Sequence, residues 1–449
     1  MRKIPAGRLF FLPLLLLTVL IRMGLPAPGN AAEPRASARD PEKPLTLEEA
    51  TAIALATEPN IQARLRDYEA ARFRVTQALS PILPQLSGTW DASRQQTQFF
   101  ASSIGGAGAQ RILSTTTTAR VTLSQILFDF GKTFADVDVA RSEAEVSRLD
   151  AETQKDQVVL AVKEAYFNIL FAKRLAIVNQ AARERAELNL KSARGFFEVG
   201  TRPKSDVTRA EVDVANAQVD LIRSRNAVRL ARVALNTAMG ITIDAPTEVK
   251  DLLFYEPYPV DRGQLVPEAL RQRPEYRRTN ALVTSAEASV SRAFRDFFPD
   301  VSGFGSYGGR ARDPDSVTDL REEWQVGISL NWSIFDGGSR IARYREAKKS
   351  VEAARSRVQA LELAISQEVV QAHLNLQEAK ERIDAAKKAV ESARENFRLA
   401  QGRFDAGVGT ILELTDAQLA LTQAEATEAQ ALTDHRIAIA RLERALGRR

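Results

Sequence analysis

The sequence predicts a mainly α chain with membrane β-strands, built from two internal repeats. Each repeat passes from a strand pair into a long antiparallel coiled-coil hairpin. Three observations predict this. First, landmarks recur at a fixed offset: Phe128-Asp129-Phe130-Gly131-Lys132 reads onto Phe335-Asp336-Gly337-Gly338-Ser339, and Phe197-Glu198-Val199-Gly200 onto Phe404-Asp405-Ala406-Gly407, both at 207 residues. Upstream, Pro84-Gln85-Leu86-Ser87-Gly88 reads onto Pro299-Asp300-Val301-Ser302-Gly303 at 215. A duplicated unit means two copies of one structural job. Second, the period is two before the Phe-Asp landmark. Third, it becomes a three-four stepping of apolar residues after it.

The opening residues are set apart from the fold. Arg2, Lys3 and Arg8 precede an apolar run over 9–21, and small residues at Ala31 and Ala32 offer a cleavage site, so residues 1–32 read as a signal peptide. The run is short for a membrane span of about 20 residues. Residues 33–44 read as a flexible leader. The formal charge of +5 falls to about +1 once Arg2, Lys3, Arg8 and Arg22 are removed. Basicity is therefore no argument for nucleic acid, and no Lys/Arg stripe with interleaved aromatics occurs. The chain has no cysteine, which excludes a disulfide framework and N-terminal lipidation.

The first repeat is read over 45–240 and the second over 264–449, joined by a Pro-rich, aperiodic connector over 241–263. Helices are expected at 46–57 and 61–79, broken by Pro59, and in the second copy at 265–273 and 276–297, broken by Pro274. The clearest strand alternates Trp324, Val326, Ile328, Leu330, Trp332 and Ile334 against Gln325, Gly327, Ser329, Asn331 and Ser333. Its copy is Thr117, Ala119, Val121, Leu123, Gln125 and Leu127. Such runs suit tilted membrane strands of about 9–11 residues, with the first set facing lipid. Their partners are expected over 85–98 and 300–309, with loops over 99–116 and 310–323. A soluble sandwich is the alternative, but so few strands beside so much helix argue against it. Charges interrupt every other apolar stretch, so a crossing must use strands in a closed barrel.

Past the glycines, Ile365, Val369, Ala372, Leu376, Ala379, Ile383, Ala386, Val390, Ala393, Phe397, Ala400 and Phe404 step by four and three, a heptad seam in which Ala opposes larger residues. The first copy runs Val158, Val162, Ala165, Ile169, Ala172, Ala176, then Ala186, Leu190, Ala193 and Phe197, with breaks at Asn179 and Arg183. Each helix is about 65 residues, near 100 Å at about 1.5 Å per residue. Gly-centred turns then start returning helices over 205–239 and 412–446.

Little of this carries chemistry. His373 and His435 lack metal-ligand neighbours in sequence. Gly303-Phe304-Gly305-Ser306-Tyr307-Gly308 has the letters of a dinucleotide fingerprint but lies inside a strand, without the helix N-terminus that receives pyrophosphate. No cofactor and no enzyme activity are expected. Glu413 and Asp416 share one face of the first turn of a helix, which fits either capping or, in a symmetric oligomer, a ring of acids.

The doubled order of helix, strand pair, long helix, Gly turn and helix, with its Phe-Asp-x-Gly junctions, resembles the TolC family of outer-membrane efflux proteins over about residues 45–446. The resemblance implies a homotrimer in which four strands per chain close a 12-stranded β-barrel above a coiled-coil α-barrel across the periplasm. It implies an outer-membrane exit duct for a tripartite efflux pump or type I secretion system, working with a periplasmic adaptor and an inner-membrane transporter. Independently, four strands are too few to close a barrel. The rival is a periplasmic coiled-coil adaptor or scaffold without a pore, which would need only one helical hairpin. By the same resemblance, Glu413, Asp416 and Asp206 belong to the periplasmic aperture, and Gly200, Thr201, Gly407, Val408 and Gly409 to adaptor-contacting tips. The chain departs from the family pattern at Phe404, where a gate tyrosine would stand, and at Gly409, where a gate arginine would. Arg202, Lys204 and Arg209 are the nearby candidates to replace the missing links.

Overall fold

The computed structural model describes residues 44–103, 106–259, 262–312 and 320–449. The expected signal peptide and nearly all of the leader lie outside the described residues. In chain order the elements are α1 (Leu47–Thr57), α2 (Pro59–Leu79), β1 (Gln85–Ser103), β2 (Gly106–Phe128), α3 (Lys132–Glu198) and α4 (Lys204–Ala238). The second repeat supplies α5 (Leu265–Gln272), α6 (Pro274–Arg295), β3 (Asp300–Arg312), β4 (Arg321–Asn331), α7 (Ser339–Asp405) and α8 (Ile411–Leu446). The two long helices are 67 residues each and start and stop at matched positions.

The sheet runs β1-β2-β3-β4, antiparallel throughout. Gln85 pairs with Ser124 in the first hairpin and Asp300 with Asn331 in the second, the same register in both copies. Two expectations are corrected here. The first hairpin is not a short pair with a loop over 99–116: β1 continues to Ser103 and β2 begins at Gly106. Gly, Ala, Ser and Thr give no hydrophobic contrast from which to read a period, yet their backbones pair as well as any. In addition β4 ends at Asn331, so Trp332 and Ile334 lie beyond the strand although they were placed on it. Trp332 instead donates its indole N–H to Phe297 O at 3.1 Å, tying the strand exit to the end of α6.

The Phe-Asp-x-Gly junction has a physical reason. Gly131 and Gly338 take left-handed backbone at φ 79° and 87°, turning the chain from strand to helix. Asp129 then accepts from Gly131 N at 2.9 Å, Thr133 N at 2.8 Å and Thr133 Oγ1 at 2.5 Å, satisfying the open end of α3. Burial raises the Asp129 pKa, but those donors outweigh it and hold the carboxyl below its usual value. Asp336 does the same for α7 through Arg340 N at 3.0 Å.

The core is a set of helix seams. The expected α7 line is buried at Ile365, Val369, Ala372, Leu376, Ala379, Ile383, Ala386, Val390, Ala400 and Phe404, with Ala393 and Phe397 half-buried. In α3 the tip end differs: Phe197, placed on the seam, is 42% exposed, and Phe196 packs inward instead. At mid-height Tyr166 is fully buried and donates to Leu45 O (2.8 Å) and Lys250 O (2.9 Å), locking the parallel Leu45–Val249 bridge between the leader end and the connector. Burial pushes its hydroxyl pKa up to about 12. Among the described residues no helix is long and apolar enough to cross a membrane.

Candidate aperture at the hairpin tips

Both long hairpins turn at a left-handed glycine, Gly200 (φ 77°) between α3 and α4 and Gly407 (φ 78°) between α7 and α8. Thr201 closes the first turn by donating its N–H and Oγ1 to Phe196 O, each at 2.9 Å. In the second, Gly409 N donates to Arg403 O at 2.8 Å. A Cβ on Gly409 would sit 2.9 Å from Arg403 Cβ and from Phe404 N, so this turn admits no side chain there. Val408 stands 70% exposed at the apex. Thr410 caps α8, its Oγ1 accepting from Glu413 N at 3.2 Å.

The side chain that joins the tips is Arg202, which leaves the first turn and reaches the second. Its guanidinium lies 4.9 Å from the Phe404 ring centre, donates to Gly409 O, and sits 3.7 Å from Asp206. Phe404 is fully buried, held edge-on by Phe196 at 5.6 Å. Of the three cations considered from the sequence, Arg202 makes the link, and Lys204 and Arg209 form no ion pair among the described residues.

A polar ladder continues upward between the hairpins. Thr415 Oγ1 donates to Asp213 at 2.9 Å, Asn189 Nδ2 to Gln418 Oε1 at 2.6 Å, Gln418 Nε2 to Ala182 O at 3.0 Å, and Arg185 to Glu425 at 3.2 Å. Sequence reading missed Asp213, Asn189 and Gln418; Asn189, beside seam residue Leu190, is the one signal that could have found them.

The three acids assigned to the aperture are not brought together. Asp206 is enclosed by Arg202 between the hairpins, both side chains about 15% exposed or less. Glu413 is half-exposed, 3.5 Å from Arg403 Nε. Asp416 is exposed one turn further along α8 and forms no ion pair among the described residues. No grouping of acids and histidines that could hold a metal occurs among the described residues.

Comparison with known proteins decides what this architecture is. The family model described as outer membrane efflux protein matches residues 51–241 and 265–448, nearly all of both repeats. The chain belongs to that family. Outer membrane protein TolC of Escherichia coli is 24% identical over 402 residues, covering 87% of this chain and 79% of that protein. The alkaline protease secretion protein AprF of Pseudomonas aeruginosa is likewise 24% identical, covering 87% and 82%. The solved outer membrane channel CmeC of Campylobacter jejuni shares the fold, with a TM-score of 0.76 at 18% identity over 89% of this chain and 85% of that one. The family member described here is an outer-membrane efflux channel extending into the periplasm, and the reading as an adaptor or scaffold without a pore is set aside.

Proposed function

We propose that three copies of this chain form one passive exit duct through the outer membrane and periplasm, as the last component of a tripartite efflux pump or type I secretion system. The observation that carries this is a four-stranded sheet with both edges unpaired, standing above two helical hairpins whose long helices are 67 residues each. Open edges in lipid leave backbone groups unsatisfied, and three such sheets supply the twelve strands that close a barrel. Trp324, Val326, Ile328 and Leu330 then face lipid, and Gln325, Ser329 and Asn331 the lumen. An inner-membrane transporter supplies the energy and a periplasmic adaptor meets the tips at Gly200, Thr201, Gly407, Val408 and Gly409. The duct itself performs no catalysis. At its periplasmic end Glu413 and Asp416 line the opening, and the Arg202 clasp, with Asp206 and Phe404, holds the two hairpins of each chain together when it is closed. Detergent extraction of the outer membrane should yield a particle of three chains that conducts ions in a planar bilayer. A monomer recovered from the periplasm without detergent would overturn the proposal.

A further inference from the structure

The two long helices match residue for residue, since Lys132–Glu198 and Ser339–Asp405 differ by 207 at both ends. Under that offset Tyr166 of α3 corresponds to His373 of α7, and Lys173 to Lys380. In the first copy the leader end and the connector satisfy both polar groups. Tyr166 donates to Leu45 O and Lys250 O, and Lys173 pairs with the Glu248 carboxylate at 2.6 Å. In the second copy neither group has such a partner. His373 is 7% exposed, and its Nδ1 is enclosed without a hydrogen bond. Lys380 forms no ion pair among the described residues, in contrast to Lys173.

Beside His373 lies a pocket of about 600 Å³, bounded by α7, α8 and the connector. His435 of α8 lines it as well, 2% exposed, and its Nδ1 is also enclosed without a partner. Buried polar atoms are rarely left unpaired, and here two imidazoles in one cavity are. Tyr255, Pro257, Tyr258 and Pro259 form the connector wall, with the Tyr255 ring 5.2 Å from that of His435. The wall is pinned in place. Arg436 donates to Phe254 O at 3.0 Å and pairs with Glu256 at 2.9 Å, and Arg448 donates to the Tyr258 hydroxyl at 3.1 Å. Glu256 is thereby engaged, and no carboxylate lines the pocket among the described residues, whereas Lys380 does. Lys387 adds a further cation 5.5 Å from the Tyr255 ring centre. Burial first, then Arg436 and Lys380, hold the His435 pKa down, which marks the surroundings as positive. Ring-lined cavities of this size with a few convergent polar groups have the build of small-molecule sites.

We propose that this pocket binds a small organic carboxylate carrying an apolar ring. Lys380 and the two imidazoles receive the carboxylate, and Tyr255 and Tyr258 pack against the ring. The ligand supplies in the second repeat the negative group that Glu248 supplies in the first. Metal cations are a poor match, because the cavity offers two imidazoles beside cations and no acid. All of the lining residues belong to one chain, so the site stands or falls independently of the trimer.

The chain has only two histidines and both line the pocket, so their resonances report on it alone. Benzoate is titrated into the full chain, solubilised in detergent and labelled with ¹³C at histidine Cε1. Both resonances should shift saturably, with a Kd on the order of 1 mM for so small a ligand. Benzyl alcohol, the same ring without the charge, should bind at least about tenfold more weakly. The groups facing His435 are Lys380 and Lys387 of α7, Arg436 of α8, and Tyr255, Glu256 and Tyr258 of the connector. A carboxylate bound among them favours imidazolium, so benzoate should move the His435 titration upward. Lys380→Ala, at an exposed position, should leave the thermal melt unchanged and weaken benzoate about tenfold or more. Equal binding of benzoate and benzyl alcohol, or full affinity in Lys380→Ala, would overturn the assignment to an anion. Shifts produced by Zn²⁺ and not by benzoate would assign the imidazoles to a metal and overturn the proposal, as would an absence of any shift.

Discussion

Replacing Arg202 by Ala tests whether the tip is held shut from within each chain. The side chain makes three contacts at once. A hydrogen bond from a charged group is worth about 1.5–3 kcal/mol, and a cation over an aromatic face about 0.5–2 kcal/mol depending on desolvation. The 3.7 Å pair with Asp206 adds a further share, since both partners are mostly buried. These overlap and do not add in full, so about 3 kcal/mol per subunit is a reasonable total. At about 1.4 kcal/mol per factor of ten, that shifts each clasp toward the separated state by about a hundredfold. The assay is single-channel recording of the purified trimer in a planar bilayer, with a thermal melt to show that the fold survives. Arg202→Ala should raise mean conductance and open probability. Arg202→Lys should fall between, because an ammonium keeps the charge but loses the planar fork that spans ring and carbonyl. If the Ala trimer is intact and conducts as the parent does, the clasp is a packing feature and the reasoning fails.

Four further outcomes follow from the same structure. Ile328→Lys should cost about 2–4 kcal/mol and lower the yield of folded trimer, whereas Asn331→Lys should be tolerated; equal sensitivity would refute the assigned faces. Ala386→Leu, at a site 4% exposed, should destabilise by about 1–3 kcal/mol, and Ala379→Leu by less because Ala379 borders a groove of about 510 Å³; thermal melts decide. His435 is buried with Arg436 and Lys380 nearby, and burial first, then those charges, lower its pKa. The folded state therefore holds fewer protons than the unfolded state as pH falls below about 6.5, so stability should drop on acidification, and His435→Gln should flatten that slope in melts between pH 7.5 and 5. The double change Glu413→Gln with Asp416→Asn should reduce cation preference in bilayer recordings without a loss of folding, since three copies of two carboxylates around one opening focus a negative potential.

Much of the fold was legible because its periods are long. A 67-residue helix offers some nineteen turns over which a four-three stepping can be counted, and ten of the twelve residues read along α7 are buried. What failed to show were features decided by one or two residues. Phe196 and Phe197 are adjacent and chemically alike, and it is Phe196 whose ring meets Phe404. The extension of β1 and β2 was hidden because small residues carry no periodic contrast, while backbone pairing is blind to side chains.

The candidate site shows the same division. That the tips lie at Gly200 and Gly407 follows from glycine alone, the residue that takes φ near +78° without strain. That Arg202 links them does not, because its partners are a ring and a backbone carbonyl on the other hairpin, 207 residues away at Gly409. The link also involves both positions, Phe404 and Gly409, at which the resemblance implies a tyrosine and an arginine. With no room for a Cβ at Gly409, the second tip has no cation of its own at that position, and its carbonyl becomes an acceptor. Phe404 has no hydroxyl to donate, yet its face receives a guanidinium, which a ring quadrupole attracts. Arg202 of the first hairpin thus joins the two tips through the ring and the carbonyl of the second.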